Sequence, residues 1–448
     1  MLFSIVSQRV LLPQGVRPAT VVVRDGKIAA IDSHDARPIG AKVLDVGEHV
    51  LLPGLVDTHV HINDPGRADW EGFEHATRAA AAGGVTTLVD MPLNSIPATT
   101  TVRGLEAKRA AAQGRCYVDV RFWGGVVPGN AAELEPLARA GVRGFKCFLC
   151  PSGVDEFAHV TEADLRRALP IVASLALPLL AHAELPDLLK NPTSAVDGRE
   201  VDSRRHGTWL ASRPDVSEVA AIAMLARLAV EYDAHVHVVH LSSAAALPTL
   251  EAARADGARL SVETCPHYLA FAAEDIPDGA TAFKCAPPIR SRENRDKLWR
   301  ALANGDIQLV ATDHSPSPPA LKRLDAGDFV GAWGGIASLQ LGLAVLWSGA
   351  AERGIGFERV GRWMARAPAE LAGLGGTKGE IAVGHDADFA VWDPDAEWTV
   401  DARALYHRHP VTPYNGRRVR GRVVTTILRG KRVFDHGEIC GEPMGKSD

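Results

Sequence analysis

The middle of the chain alternates short apolar runs, rich in β-branched residues, with longer stretches rich in Ala and Leu. Such alternation is typical of βα units whose strands pair in parallel. The runs with the length and composition of strands are residues 55–61, 85–91, 118–126, 142–149, 177–183, 235–241, 259–266 and 306–313. Helical candidates between them include residues 105–113, 161–175, 217–232 and 290–303. This pattern predicts an α/β fold, the closed (β/α)8 TIM barrel.

Both ends of the chain differ from this middle and resemble each other. Residues 19–31 consist of two β-rich runs around Asp25-Gly26, which is a strong hairpin pattern. Residues 388–392 and 423–434 have strand and strand–turn–strand composition near the other end. We therefore expect residues 1–53 and 379–448 to form one small β-sandwich domain, and residues 54–378 to form the catalytic barrel.

The composition is that of an ordinary globular protein, with 46% hydrophobic and 23% charged residues and a net charge of −5 over 448 residues. A nucleic-acid partner is not expected, because phosphate contacts need clustered Lys and Arg. No membrane association is expected either, because no apolar run reaches the roughly 18 residues that a membrane span needs. The apolar N-terminus is interrupted by Gln8 and Arg9, so it predicts a strand and not a signal peptide.

Six cysteines are too few for a disulfide scaffold, so the expected location is the reducing cytoplasm. Cys147 and Cys150 form one C-x-x-C, but the second pair and the sequence context of zinc or thioredoxin motifs are missing. On a strand, their odd spacing would place them on opposite faces. We expect neither metal binding nor redox chemistry from this pair.

Candidate chemistry concentrates at the ends of the predicted strands, where barrel active sites lie. Five of these ends carry metal-ligating or proton-transferring side chains, namely His59 and His61, Lys146, His182, His240 and Asp313. His59 and His61 are two residues apart, so both imidazoles point to one side of the strand, and Asp57 shares that side. An isolated His-x-His is more often structural, but the position of this one at the end of an apolar strand favours metal binding.

The remaining histidines lack such a position. His235 and His237 have the opposite strand parity to His240, so we expect them to be packed or solvated. His314 follows Asp313 directly and is turned away from it by the same parity. The histidines without a supporting context are His206, His267, His407 and His409.

Lys146 lies in the apolar run 144–149, and burial without a partner favours its neutral amine. A neutral amine can add carbon dioxide to become a carbamate, an anion able to bridge two metal ions. The structural alternative is a Lys that extends outward or pairs with a carboxylate. Asp313 ends another apolar strand, where a carboxylate is paired, bound to metal or both, and it is a candidate general base for an attacking water.

With these residues in this order, the chain resembles the cyclic amidohydrolases of the amidohydrolase superfamily, which include dihydropyrimidinases, hydantoinases, dihydroorotases and allantoinases. The resemblance extends from the N-terminal hairpin through residues 53–61 to residues 429–433. It implies a homotetramer with two divalent metal ions per site, usually zinc, with cobalt, manganese or nickel as alternatives. It assigns His59 and His61 to one metal, His182 and His240 to the other, Lys146 as a bridging N6-carboxylysine formed with CO2, and Asp313 as ligand and general base.

Positions at which this sequence differs from the motifs of individual cyclic amidohydrolases reduce the number of expected substrates. Asn63 stands where dihydroorotases typically place an Arg, and residues 313–317 lack their second His, so a substrate carboxylate would have no partner. Residues 147–153 contain no Tyr, which dihydropyrimidinases and hydantoinases usually have there. The segments that are instead similar to allantoinases are 61–72, 91–95, 146–149, 284–290 and 332–336.

The similarity to allantoinases implies hydrolysis of the hydantoin ring of a small molecule, allantoin, to allantoate. The substrate-contact candidates on these loops are Asn63, Asn94, Ser152, Cys285, Ser315 and Trp333. The alternative for each is a loop residue that makes local backbone hydrogen bonds. Two rival functions stay open: hydrolysis of another cyclic amide, a hydantoin or dihydropyrimidine, and a non-catalytic scaffold, which would not need the whole ligand set.

Overall fold

The computed structural model describes residues 2–192 and 201–448. The strands are β1 (Leu2–Leu12), β2 (Gly15–Arg24), β3 (Lys27–Asp32), β4 (Lys42–Asp45), β5 (Val50–Pro53), β6 (Leu55–Val60), β7 (Val85–Asp90), β8 (Asp119–Phe122), β9 (Gly124–Gly125), β10 (Phe145–Phe148), β11 (Leu179–His182), β12 (Val236–Val238), β13 (Leu260–Thr264), β14 (Leu309–Val310), β15 (Phe389–Thr399), β16 (Arg418–Leu428), β17 (Lys431–Asp435) and β18 (Glu438–Ile439).

The α-helices are α1 (Phe73–Ala82), α2 (Val102–Ala112), α3 (Leu134–Arg139), α4 (Glu162–Ser174), α5 (His206–Ser212), α6 (Asp215–Tyr232), α7 (Leu247–Ala255), α8 (Pro266–Ala270), α9 (Arg292–Asn304), α10 (Pro319–Lys322), α11 (Gly342–Glu352), α12 (Phe357–Gly361) and α13 (Ala367–Leu371). The predicted helices correspond to α2, α4, α6 and α9, with ends displaced by at most three residues. No helix in the described part of the chain is long and apolar enough to span a membrane.

The strands of the middle region close into the predicted barrel. A three-stranded sheet, β6-β7-β8, and a six-stranded sheet, β9 to β14, contain only parallel pairs. β8 and β9 are one strand broken at Trp123, whose backbone N–H donates to the Asp90 carbonyl at 3.0 Å. On the other side, the His61 N–H donates to the His314 carbonyl at 2.9 Å, which joins β6 to the residues after β14. The sheet is therefore closed.

Two of the observed strands end three residues earlier than the sequence predicts. The run 235–241 pairs only over β12, and the run 306–313 only over β14. His240 (φ 41°) and Asp313 (φ 45°) have left-handed backbone conformations, which an extended strand cannot accommodate. Such conformations cost free energy in residues other than glycine, and they cluster at functional sites. Strand parity therefore does not apply to these two residues.

Strands from both termini form the predicted small β-sandwich domain. Its nine strands belong to one sheet in the order β18-β17-β16-β15-β5-β1-β2-β3, with β4 paired to β1. Asp25 (φ 51°) and Gly26 (φ 80°) form the tight β2–β3 turn, because a two-residue turn of this kind needs positive φ at both positions. β5 joins the N-terminal strands to β15. The proposed limits at residues 53 and 379 stay a prediction.

Buried charges connect this domain to the end of the barrel opposite the predicted site. The Lys378 ammonium lies 2.7 Å from Asp119, 2.9 Å from Asp386 and 2.6 Å from Asp388. Asp119 is the first residue of β8, and Asp388 directly precedes β15. Although burial disfavours the ammonium, Asp388 and Asp119 raise the pKa of Lys378 above its ordinary value. Lys378 therefore stays protonated at neutral pH and joins Asp388 of the sandwich to Asp119 of the barrel.

Candidate metal centre

His59, His61 and Asp313 meet at the C-terminal end of the barrel strands. The Nε2 atoms of His59 and His61 lie 3.2 Å and 3.4 Å from Oδ1 of Asp313. One ligand atom of each residue lies within 4.8 Å of the other two. Burial favours the neutral acid, but His59 and His61 outweigh it and hold the pKa of Asp313 well below its ordinary value. The group offers two imidazoles and a carboxylate, a donor set suited to a divalent cation.

His182 and His240 form a second pair beside the first. Nδ1 of His182 lies 3.0 Å from Nε2 of His240, and the ring centres of His240 and His59 are 5.3 Å apart. Burial lowers the pKa of both imidazoles, so they are held in the neutral form that binds metals. Two ring nitrogens this close require an N–H between them or a shared cation.

Lys146 lies in β10, and its side chain is completely buried. Its Nζ atom has no hydrogen-bond partner among the described residues and lies 4.8 Å from the centre of the Phe148 ring. Burial lowers the pKa of Lys146 to about 8, against the opposing effects of Cys147, Glu263 and Asp313. Within the described chain, Lys146 neither extends outward nor forms an ion pair, so both structural alternatives fail.

Glu263, on β13, is a site residue that the sequence analysis missed. Its Oε1 atom forms a short hydrogen bond with Nδ1 of His59, and its Oε2 atom lies 3.0 Å from Nε2 of His237. Burial alone would raise the pKa of Glu263, but His59 and His237 lower it to about 2. The carboxylate is therefore ionised and directs Nε2 of His59 toward the cluster, as carboxylates behind metal-binding histidines do.

The position of His237 contradicts the prediction from strand alternation that His237 and His240 face opposite sides. His237 is packed as predicted, between Ser261 at 2.8 Å and Glu263, but it faces the same interior as His240. The argument fails because β12 ends at Val238 and His240 has a left-handed backbone conformation. His237 therefore contributes to the site through Glu263.

Glu184 orients the His182 ring, as Glu263 orients the His59 ring. Its Oε2 atom lies 2.7 Å from Nε2 of His182 and accepts a hydrogen bond from Nη2 of Arg213 at 2.6 Å. Burial raises the pKa of Glu184, but Arg213 and His182 more than compensate and lower it to about 2. Glu184 stands two residues after His182, so its spacing could have indicated this contact.

Asp57 and His314 lie near the site with structural contacts. Asp57 accepts hydrogen bonds from the Thr312 hydroxyl at 2.6 Å and from the His59 N–H at 3.1 Å. His314 accepts from the Ser338 N–H at 3.0 Å and lies 3.4 Å from Glu71. Both side chains therefore support the strand ends.

None of the cysteines forms a disulfide. Cys147 packs in the apolar core, whereas Cys150 lies 3.5 Å from Nη2 of Arg213 and within 4.8 Å of ligand atoms of His182 and Glu184. Burial raises the pKa of both thiols to about 12, so they are protonated at neutral pH. The two cysteines therefore have different surroundings, but Cys150 lies beyond the end of β10, so the parity argument does not apply to it.

A cavity of about 250 Å³ opens over this cluster, and its lining includes His59, His61, His182, His240 and Asp313. Four substrate-contact candidates also line it, namely Asn94, Ser152, Ser315 and Trp333. Asn63 and Cys285 are buried and are not part of the lining; the Asn63 amide donates to the Pro316 carbonyl at 3.4 Å. The lining residues that the sequence analysis missed include Trp209, Arg213 and Lys284.

Two of the lining hydroxyls already have protein partners. The Ser152 hydroxyl donates to the Phe157 carbonyl at 2.5 Å, which is the local backbone bond considered as its alternative role. The Ser315 hydroxyl donates to Oδ1 of Asp313 at 2.9 Å and so orients that carboxylate. Asn94 is within 3.4 Å of Nδ1 of His61.

Comparison of the sequence with known proteins identifies the family of the chain. The model of the amidohydrolase family matches residues 50–433. The chain belongs to the amidohydrolase family. It is 53% identical to an allantoinase of Streptomyces avermitilis, over 98% of this chain and 97% of that protein. Allantoinases of Arabidopsis thaliana and Saccharomyces cerevisiae are 45% and 41% identical, each over 99% of this chain and over 90% and 98% of their own lengths.

Solved structures confirm the fold of this amidohydrolase. The L-hydantoinase (dihydropyrimidinase) from Arthrobacter aurescens superimposes with a TM-score of 0.93 at 30% identity, covering 99% of both chains. The dihydropyrimidinase from Brevibacillus agri gives 0.91 at 29% identity, covering 100% of this chain and 98% of that one. Amidohydrolases are generally divalent metal enzymes, and the clustered His and Asp donors fit such an ion.

We predict that Glu263→Gln weakens divalent metal binding by roughly 10- to 100-fold, because the His59 ring loses the charged acceptor that orients it. Competition with a chromogenic chelator measures the affinity for Zn²⁺. Glu352→Gln, at an exposed position on α11, serves as the control and should match the wild type. Equal affinities in all three proteins would contradict the role given to Glu263.

Proposed function

We propose that this protein is an allantoinase, a hydrolase that opens the hydantoin ring of allantoin to give allantoate. The observation that carries the proposal is the convergence of His59, His61, His182, His240, Lys146 and Asp313 at one end of the barrel, on or directly beneath one cavity. Relatives named allantoinase match nearly the whole chain at 41–53% identity, which supports this substrate over other cyclic amides.

We propose that His59 and His61 hold one divalent ion and that His182 and His240 hold a second, with zinc as the first choice and cobalt, manganese or nickel as alternatives. Lys146, carboxylated by CO2, is proposed to bridge them. Bound ions of this kind lower the pKa of a water molecule and polarise the amide carbonyl. The support is that the ligand atoms converge and that Lys146 has no anionic partner in the part of the chain that the structure describes.

Asp313 is proposed as the general base. Its carboxylate is ionised, lines the cavity and is oriented by the Ser315 hydroxyl at 2.9 Å. From that position it accepts a proton from the attacking water and returns the proton to the ring nitrogen that leaves.

A second candidate substrate class is a simple hydantoin or dihydropyrimidine, which the names of the superimposed structures favour. The absence of Tyr from residues 147–153 argues against it. A non-catalytic scaffold is disfavoured, because buried metal-ligating side chains without a catalytic use would lower the stability of the fold. The homotetramer and the cytoplasmic location stay predictions; the name of one relative, from Aquarana catesbeiana, includes the word mitochondrial.

Steady-state kinetics on a panel of rings tests the proposed function. Protein produced with added Zn²⁺ and bicarbonate is assayed with allantoin, hydantoin, dihydrouracil and dihydroorotate. We expect kcat/KM to be about 100-fold or more higher for allantoin than for the others, because a site built around the ureido substituent rejects rings without it. A higher value for hydantoin or dihydrouracil would refute the allantoinase proposal and leave the metal site intact.

Replacing Lys146 should remove the bridge and the metal together. We predict that Lys146→Ala purifies with less than about 10% of the wild-type metal content and no measurable turnover. In the metal-free wild type, ¹³CO2 should add a carbamate signal faster at pH 8.5 than at pH 6.5, because with a pKa of about 8 the amine is mostly neutral only at the higher pH. Full activity of Lys146→Ala with two ions bound would contradict the bridging assignment.

Asp313→Asn separates metal binding from proton transfer. The amide keeps the shape of the carboxylate but cannot accept the proton, so we predict a fall in kcat of about 10²- to 10⁴-fold with metal still bound. Elemental analysis and initial rates on the same preparation measure both quantities. A rate within a factor of about three of the wild type would refute the role of Asp313 as general base.

A further inference from the structure

Lys322, the last residue of α10, is a buried lysine without a carboxylate partner in the described chain. Its Nζ atom donates to the backbone carbonyls of Lys284 at 3.2 Å and Trp333 at 3.1 Å, and through a shorter hydrogen bond to that of Gly335. The backbone carbonyl of Lys322 in turn accepts a hydrogen bond from the Thr281 hydroxyl at 2.5 Å.

Three carbonyl acceptors match the three N–H groups of an ammonium, whereas a neutral amine has only two. Taking an ammonium out of water is costly, so burial lowers the pKa of Lys322 to about 7. The carbonyl groups offset part of that cost only while they stay in place around Nζ. The arrangement therefore couples the position of one amine to the positions of three backbone segments.

These carbonyl groups belong to two separate loops that both line the cavity. Lys284 lies on the loop between α8 and α9, whereas Trp333 and Gly335 lie on the loop that follows α10. The Gly335 N–H also donates to the Lys284 carbonyl at 2.8 Å, so the two loops touch directly beside Nζ. The Lys284 ammonium donates to the carbonyls of Val330 at 3.0 Å and Ala332 at 2.5 Å, which adds a second connection.

We propose that Lys322 is a positioning residue that fixes the distance between these two loops and thereby sets the affinity of the cavity for its ring substrate. Lys322 is not part of the cavity lining, so it acts through Lys284, Trp333 and Gly335. His59, His61 and Asp313 lie on other segments, and the three hydrogen bonds of Lys322 go to other residues. The inference rests on the proposed function only for the choice of allantoin as substrate.

A purely structural role of Lys322 would have different consequences for stability and kinetics. If Lys322 only stabilises the fold, its loss lowers the melting temperature and affects kcat and KM no more than any other buried substitution does. If it positions the two loops, KM rises while kcat and metal content change little, because substrate binding weakens and the metal cluster is untouched.

The test compares Lys322→Met, Lys322→Gln and the wild type by steady-state kinetics, metal analysis and thermal melting. Methionine keeps most of the volume and removes all three donors, whereas glutamine keeps an N–H₂ group. We expect KM for allantoin to rise about tenfold or more in Lys322→Met and less in Lys322→Gln, with kcat within about threefold. Leu250→Ala, in the buried face of α7 and away from the cavity lining, is the control for lost stability.

KM values within twofold of the wild type in both Lys322 variants would overturn the inference, as would an equal rise in Leu250→Ala. If Lys322→Met does not fold, Lys322→Gln decides between the two roles. If the wild type prefers another cyclic amide, the allantoinase proposal fails, and the same variants are compared on the preferred ring.

Discussion

A buried amine without an anionic partner is the constraint on which the site depends. Lys146 is completely enclosed by the barrel, yet each carboxylate near it is already engaged with histidine. Asp313 contacts His59 and His61, and Glu263 contacts His59 and His237. Among the described residues, no anion is left to pair with the ammonium form of Lys146. The proposed carbamate turns this unpaired base into an anion near His182 and His240.

The barrel provides the geometry for that arrangement. Parallel strands bring their C-terminal ends to one rim, so residues far apart in sequence meet there. Left-handed backbone conformations at His240 and Asp313 turn these two side chains into the rim where extended strands would not. Behind them, Glu263 and Glu184 leave one nitrogen of His59 and of His182 facing the cluster. His59 and His182 are therefore each fixed by a carboxylate outside the cluster.

Much of this could be predicted from the sequence, because strand periodicity and strand ends are local properties. The barrel, the domain built from both termini and the positions of His59, His61, Lys146, His182, His240 and Asp313 all followed from apolar runs and the polar residues that end them. Glu184 could have been found by the same spacing rule, since it stands two residues beyond His182.

Other features depend on contacts that one strand does not encode. Glu263 sits inside an apolar run, and only the neighbouring strands bring it to His59 and His237. The sequence does not distinguish Lys322 from other lysines, because its role depends on hydrogen bonds from Nζ to carbonyl groups of two loops. Asn63 was proposed from a loop similarity, which gives no side-chain direction, and its amide is directed to the Pro316 carbonyl instead of the cavity.

The most direct test of the account is a crystal structure of protein produced with Zn²⁺ and bicarbonate, with anomalous data collected at the zinc edge. The account predicts two ions bridged by a carboxylated Lys146, with His59 and His61 on one ion and His182 and His240 on the other. An unmodified Lys146 beside a single ion held by His59, His61 and Asp313 would contradict it.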